Sequence, residues 1–185
     1  MPEEGIELAA IAAARGMTAQ CTLRINPDVD AGTHDKISTG KADNKFGVPI
    51  SEAGQIFGAL AGLPGVKLRG VAVHIGSQLA DLAPLETAFE KLGALVQALR
   101  GAGHVITHVD LGGGLGVPYR VGEVLPPPSE YGAMVARVTR DWGVTLIFEP
   151  GRVIAGNAGV LLTRVVRVKR GINDPFVIVD AAMND

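Results

Sequence analysis

The stretch "HVITHVDLGGGLG", residues 104–116, decides how this chain folds. An apolar run with Thr107 and His108 inside it opens into Gly112, Gly113 and Gly114, and glycines in such a place mark a close approach to the backbone. The run reads as a strand that ends in a glycine turn. Before it, "PLETAFEKLGALVQALRGAG" (84–103) reads as a helix whose apolar stripe is Leu85, Ala88, Phe89, Leu92, Val96 and Leu99. Before that helix, "VKLRGVAVHIG" (66–76) is again a strand.

The same alternation continues in both directions. Residues 3–15 read as a helix through Leu8, Ile11, Ala12 and Arg15, closed by Gly16. "CTLRINP" (21–27) is a short strand, and residues 28–50, rich in Asp, Gly, Thr, Lys and Asn, read as a long loop of the kind that is often functional. Ser51 is read as the N-cap of a helix with Glu52 in its first turn and Ile56, Ala59, Leu60 and Leu63 on one face. After "LPPP" (125–128), Ser129 is read as the cap of a helix carrying Tyr131, Met134, Val135, Val138 and Trp142, and "VTLIFEPG" (144–151) is the next strand. Strand and helix in turn imply parallel strands joined by helical crossovers.

Three of these strands finish in polar or glycine-rich text: "HIGSQ" (74–78), "GGGLG" (112–116) and "FEPGR" (148–152). In α/β folds the carboxyl ends of strands are where ligands bind. Beyond Arg152, "GVLLTRVVRVKR" and "PFVIVDAAM" are strand-like with no helix between them, so an all-β region is expected from near Asn157. A complete eight-stranded barrel takes about 250 residues, and only four convincing barrel strands precede that tail. The expected architecture is α/β: the later strands and helices of a partial TIM (β/α)8 barrel over residues 1–156, then the start of an all-β domain over 157–185. Both ends are read as cut.

Composition narrows the function classes. The 185 residues carry 17 basic and 19 acidic side chains, a net charge of −2, so no basic face is advertised for nucleic acid. One cysteine, Cys21, excludes an intrachain disulfide framework, and it is read as a bland buried thiol. No secretory signal or membrane-spanning run is apparent, and a reducing, cytoplasmic setting fits. No metal site is expected.

Each strand-end motif is ambiguous alone. "GGGLG" misses the dinucleotide fingerprint and the P-loop, and it fits either a packing turn or an anion cradle of backbone N–H groups. Glu149 in "EPGR", expected to be partly buried, needs a donor and has Arg152 close in sequence, so an internal pair is one reading. His74 in "HIGSQ" is equally a hydrogen-bonded core histidine. Together, a phosphate cradle, an acid able to pair with a ring nitrogen and a flat imidazole describe a pocket for pyridoxal phosphate.

At this point the text resembles that of a known family. "RINPDVDAGTH" (24–34), "ISTG" (37–40), "NKFG" (44–47), "HIGSQ", "DLGGGLG", "FEPGRVIAG" (148–156) and "DAAMND" (180–185) are similar, in that order, to the diaminopimelate decarboxylases. These are pyridoxal 5'-phosphate lyases of the alanine-racemase-like barrel class. The resemblance implies decarboxylation of meso-2,6-diaminopimelate to L-lysine. It implies that His74 stacks on the cofactor ring and that Glu149 bonds its nitrogen, these two being the catalytic candidates. Ser77, Gly112, Gly113, Gly114, Gly151 and the backbone at Arg152 fall in the cofactor-binding turns, and the Arg152 side chain matches a substrate-carboxylate position. Lys45 and Phe46 lie in the "NKFG" loop without an assigned role.

The resemblance also implies what these residues do not include. The family's Schiff-base lysine belongs to an early barrel strand, and its catalytic cysteine to the later β domain of a homodimer with shared sites. The isolated chain is therefore expected not to decarboxylate and to associate through its open sheet. Ornithine, arginine or carboxynorspermidine decarboxylases share similar turns and remain rival readings, as does a non-catalytic barrel fragment that binds pyridoxal phosphate.

Overall fold

A computed structural model describes residues 2–30 and 45–182. "AGTH" after Asp30, "ISTG", Asn44 of "NKFG" and the closing "MND" lie outside the described residues. The chain begins with helix α1 (Pro2–Ala14) and strand β1 (Ala19–Asn26), followed by β2 (Val48–Pro49) and α2 (Ala53–Ala61). β3 (Val66–Val73), α3 (Ala83–Gly101), β4 (His108–Asp110), α4 (Pro128–Val138) and β5 (Thr145–Ile147) continue the alternation. A single-turn helix, α5 (Arg152–Ala155), precedes β6 (Val165–Lys169) and β7 (Phe176–Val179).

The first five strands form one parallel sheet in the order β2-β1-β3-β4-β5. This is the α/β partial barrel that the alternation implied, and the last two strands pair antiparallel in a separate sheet. Helices pack on one side of the parallel sheet because each strand turns its larger apolar side chains that way. Leu23 and Ile25 of β1, Val71 and Val73 of β3 and Val109 of β4 form one buried cluster with Phe57 and Leu60 of α2 and with α3. The α3 stripe is buried as its spacing requires, Leu85, Ala88, Phe89, Leu92, Val96 and Leu99 each being at most 2% exposed. Burying the Leu, Phe and Val side chains among them contributes roughly 1.5–3 kcal/mol apiece, which ties α3 firmly to the sheet.

Polar side chains of α3 complete the anchoring. Lys91 Nζ donates to the carbonyls of Pro27 and Asp28 at 2.9 and 2.8 Å, which fixes the chain as it leaves β1. At the other end, Arg100 donates to the carbonyl of Trp142 at 2.5 Å and to that of Ile106 at 2.9 Å, tying the turns before β4 and β5 to one helix.

The opposite face of the sheet carries the charged side chains of Arg24 and Asp110 in a row with Ala72 and Ile147. Pairing places Arg24 beside Ala72, Ala72 beside Asp110 and Asp110 beside Ile147, one row across four strands.

Several local expectations are corrected. α1 buries Ala9 and Ala12, while Ile6 and Ile11 are 55% and 47% exposed and Leu8 and Arg15 are also exposed. Small residues let α1 sit close to its neighbours, and the larger ones are left outside. Glu52, not Ser51, stands at the N-cap of α2 and makes no side-chain cap; Ala59 is exposed and Phe57 takes its place in the core. Pro127 occupies the N-cap of α4, with Ser129 already inside the helix. Proline in the first turn costs no hydrogen bond there, and this is why "LPPP" starts the helix without a serine cap.

Candidate functional site

Three strand ends meet at one edge of the sheet. His74 follows β3 directly, Gly112 to Gly114 follow β4, and Glu149 lies two residues past β5. The glycines are required by the closeness of neighbouring backbone. A Cβ on Gly112 would run into the Val73 carbonyl, one on Gly113 into the Glu149 carbonyl, and one on Gly114 into the Gly76 carbonyl. Gly114 also holds φ at 106°, a conformation that side chains oppose. Chain packing against chain therefore accounts for all three glycines.

The turn is then wired to its neighbours. Gly112 N–H donates to Asp110 Oδ1 at 2.8 Å, and Gly113 N–H donates to His74 Nδ1 at 3.3 Å. Glu149 N–H donates to the Gly112 carbonyl at 2.7 Å. Leu79 and Leu115 form an isolated parallel bridge, with Leu79 N–H on the Gly114 carbonyl at 2.9 Å. Together these bonds fix three loops against one another.

His74, Ser77, Gln78, Gly114, Leu115, Glu149, Pro150, Gly151 and Arg152 line one cavity of about 260 Å³. Six of the residues singled out in the sequence are thus brought together: His74, Ser77, Gly114, Glu149, Gly151 and Arg152. Gly112 and Gly113 line instead the neighbouring apolar cavity, about 180 Å³, with Tyr131, Phe148 and Val153. A larger space of about 370 Å³ between α1, α2, β1 and β3, lined by Glu4, Cys21, Arg24, Lys45 and Phe46 among others, lies away from the β4 and β5 ends. The three strand-end motifs converge instead on the cavity lined by His74, Gly114 and Glu149.

The donors and charges in that cavity are arranged for an anion and a flat ring. Among the described residues, the N–H groups of Gly114, Gly151 and Arg152 meet no acceptor within the chain. Backbone N–H groups in such turns form anion sites. Because Gly113 donates to Nδ1, the neutral His74 ring carries its proton on Nε2. Burial holds its pKa below the ordinary histidine value, and the Arg24 guanidinium adds to this while Glu149 and Asp110 oppose it. Arg24 also donates to the His74 carbonyl at 3.4 Å.

Glu149 departs from expectation. It is exposed rather than partly buried, and Arg152 does not pair with it among the described residues. Arg152 Nη1 donates instead to Gln78 Oε1 at 3.3 Å, and its guanidinium lies 5.9 Å from the Tyr119 ring centre. The carboxylate accepts no side-chain hydrogen bond from the described residues. The strand ends at Ile147, and β5 is the last strand of the sheet, so no further strand among the described residues covers Glu149.

The sequence reading missed Gln78, Arg24 and Asp110. Arg24 and Asp110 follow from strand periodicity, since both point to the His74 side of the sheet by register. Gln78 acts through contacts 39 and 74 residues away, for which no local pattern exists.

Comparison with known proteins places the chain beside one group. The family described as "Pyridoxal-dependent decarboxylase, pyridoxal binding domain" matches residues 2–156. A diaminopimelate decarboxylase of Zymomonas mobilis is 52% identical over 179 residues, covering 96% of this chain and 42% of the relative. One from Vibrio cholerae is 50% identical over 176 residues, covering 95% and 42%. The crystal structure of diaminopimelate decarboxylase from Helicobacter pylori, complexed with L-lysine, superposes with a TM-score of 0.88 at 38% identity, covering all of this chain and 46% of that one. The chain therefore spans less than half the length of these relatives.

Proposed function

This chain belongs to the pyridoxal-dependent decarboxylases, matching their pyridoxal-binding domain over residues 2–156, and from that premise we propose that it is the central segment of a diaminopimelate decarboxylase. The enzyme converts meso-2,6-diaminopimelate to L-lysine and carbon dioxide, a step of lysine biosynthesis. One observation carries the site: His74, Ser77, Gly114, Glu149, Gly151 and Arg152 line a single cavity. The polar groups there suit pyridoxal 5'-phosphate, with three unpaired amides for the phosphate, a neutral imidazole for the ring face and a carboxylate for the ring nitrogen.

When bound, pyridoxal phosphate supplies an electron sink for the electrons left as carbon dioxide departs. Each residue has a part in presenting it. Glu149 holds a proton at the ring nitrogen by charge. His74, neutral and fixed by Gly113, offers a flat face without adding positive charge. Ser77 and the amides of Gly114, Gly151 and Arg152 receive the phosphate. The Arg152 guanidinium receives a substrate carboxylate. Gly112 and Gly113, whose amides bond Asp110 and His74, build the turn and hold the imidazole.

Residues 157–182 belong, in this reading, to a second, all-β domain, and β6 with β7 supports it. The working enzyme is a homodimer with shared sites in the cytoplasm, and no helix among the described residues is long and apolar enough to cross a membrane. The test is carbon dioxide release by the complete gene product with pyridoxal phosphate, offered diaminopimelate, ornithine, arginine and carboxynorspermidine in parallel. Diaminopimelate should be preferred, and Glu149→Gln should lower kcat by about 10²-fold or more, as loss of a charge-stabilising group does. Preference for another amine, or full activity of the Glu149→Gln variant, would overturn the reading.

A further inference from the structure

Gln78 stands in a conformation that does not suit it. Its φ is 61°, in the left-handed region where glycine is at ease and glutamine is not. The side chain supplies what the backbone loses. Gln78 Nε2 donates to the Val117 carbonyl at 2.5 Å, and Oε1 accepts from the Val117 N–H at 3.2 Å. Oε1 also accepts from Arg152 Nη1 at 3.3 Å.

Gripping both the donor and the acceptor of one residue is what a neighbouring strand does. The amide extends the Leu79–Leu115 bridge, where Gly116 N–H donates to the Leu79 carbonyl at 3.1 Å. Three loops, those of Ser77, Gly114 and Arg152, are thereby joined through one side chain that itself lines the cavity. The guanidinium of Arg152 is held from two sides, by Gln78 and by the Tyr119 ring.

We propose that Gln78 is a positioning residue, whose amide locks the glycine turn to the loop before it and sets the direction of the Arg152 guanidinium. The role toward substrate rests on the reading of this cavity given above. The clamp itself does not.

Three substitutions separate the possibilities. Gln78→Gly satisfies the backbone and removes the clamp, Gln78→Leu removes the clamp alone, and Gln78→Glu keeps both acceptor contacts while losing the donor to the Val117 carbonyl. In the complete gene product, hydrogen exchange of the amides in residues 112–118 is measured without cofactor, and KM and kcat with it. Exchange should accelerate about tenfold in Gln78→Gly and Gln78→Leu, the scale of one or two lost hydrogen bonds, and less in Gln78→Glu. KM for the amino-acid substrate should rise about tenfold in the first two, with Gln78→Glu partly restoring it and kcat moving less.

A Gln78→Gly protein that exchanges as slowly as wild type and keeps its KM would overturn the proposal. So would a loss confined to kcat. If the wild-type product binds no pyridoxal phosphate, the proposed function fails, while the exchange measurement still decides whether the clamp exists.

Discussion

The N–H of Gly113 donates to Nδ1 of His74 over 3.3 Å, so the glycine turn after β4 sets the tautomer of the imidazole after β3. Burial first, and the Arg24 charge second, keep that imidazole neutral to lower pH than usual, against Glu149 and Asp110. As pH falls below the ordinary value of 6.5, the unfolded chain takes up this proton before the folded chain does. Stability from this group is therefore complete above that value and declines as pH drops from it toward the folded pKa. NMR titration of the His74 ring should give a midpoint below 6.5. Arg24→Met should raise that midpoint and Glu149→Gln lower it. Movement of both in one direction would contradict the account.

Gly114 combines a φ of 106° with the Gly76 carbonyl in the way of any Cβ. Gly114→Ala should destabilise the protein by about 1–3 kcal/mol, the cost of a strained backbone site. It should also weaken pyridoxal phosphate binding, because the turn must open. Denaturant midpoints and a cofactor titration read the two effects, and an unchanged midpoint would remove the packing explanation for this glycine.

Gly93 on α3 permits the indole of Trp142 to lie against the helix, since a Cβ there would stand 2.8 Å from Cζ2. Trp142 is the single tryptophan and is 7% exposed. Gly93→Ala should overpack this contact at a cost of about 1–3 kcal/mol and shift the indole emission to the red. An emission maximum identical to wild type would show that the indole has another seat.

How far this was legible from sequence depends on the range of the interaction. The α3 stripe and the strand alternation were readable because both are local periodicities, and every α3 position named is buried. The convergence of "HIGSQ", "GGGLG" and "FEPGR" was readable because parallel topology puts like strand ends together. On α1 the choice between Ala9 and Ile11 is made by how closely the neighbouring elements approach, which spacing does not encode. The caps failed for a similar reason: Ser51 and Ser129 have the right chemistry, but Ser51 stands one residue before the N-cap of its helix and Ser129 two residues after the N-cap of its own. Glu149 was expected to be partly buried from its apolar strand, and it is exposed because β5 is an edge.

Large apolar side chains remain on the outside of the 185-residue chain. Ile6 and Ile11 on α1 are joined in this by Val165, Val168 and Phe176 on the two-stranded sheet. Exposed apolar strands of this kind seek partners. Sedimentation of the 185 residues alone should show self-association that grows with concentration, and a well-dispersed monomer would contradict this.

The most direct test is a crystal structure of the complete gene product with pyridoxal phosphate bound. The account predicts the ring against His74, the ring nitrogen toward Glu149, and the phosphate among Ser77, Gly114 and Gly151. Cofactor found in the larger space beside Lys45 and Arg24, or with His74 and Glu149 on no common face of it, would contradict the assignment.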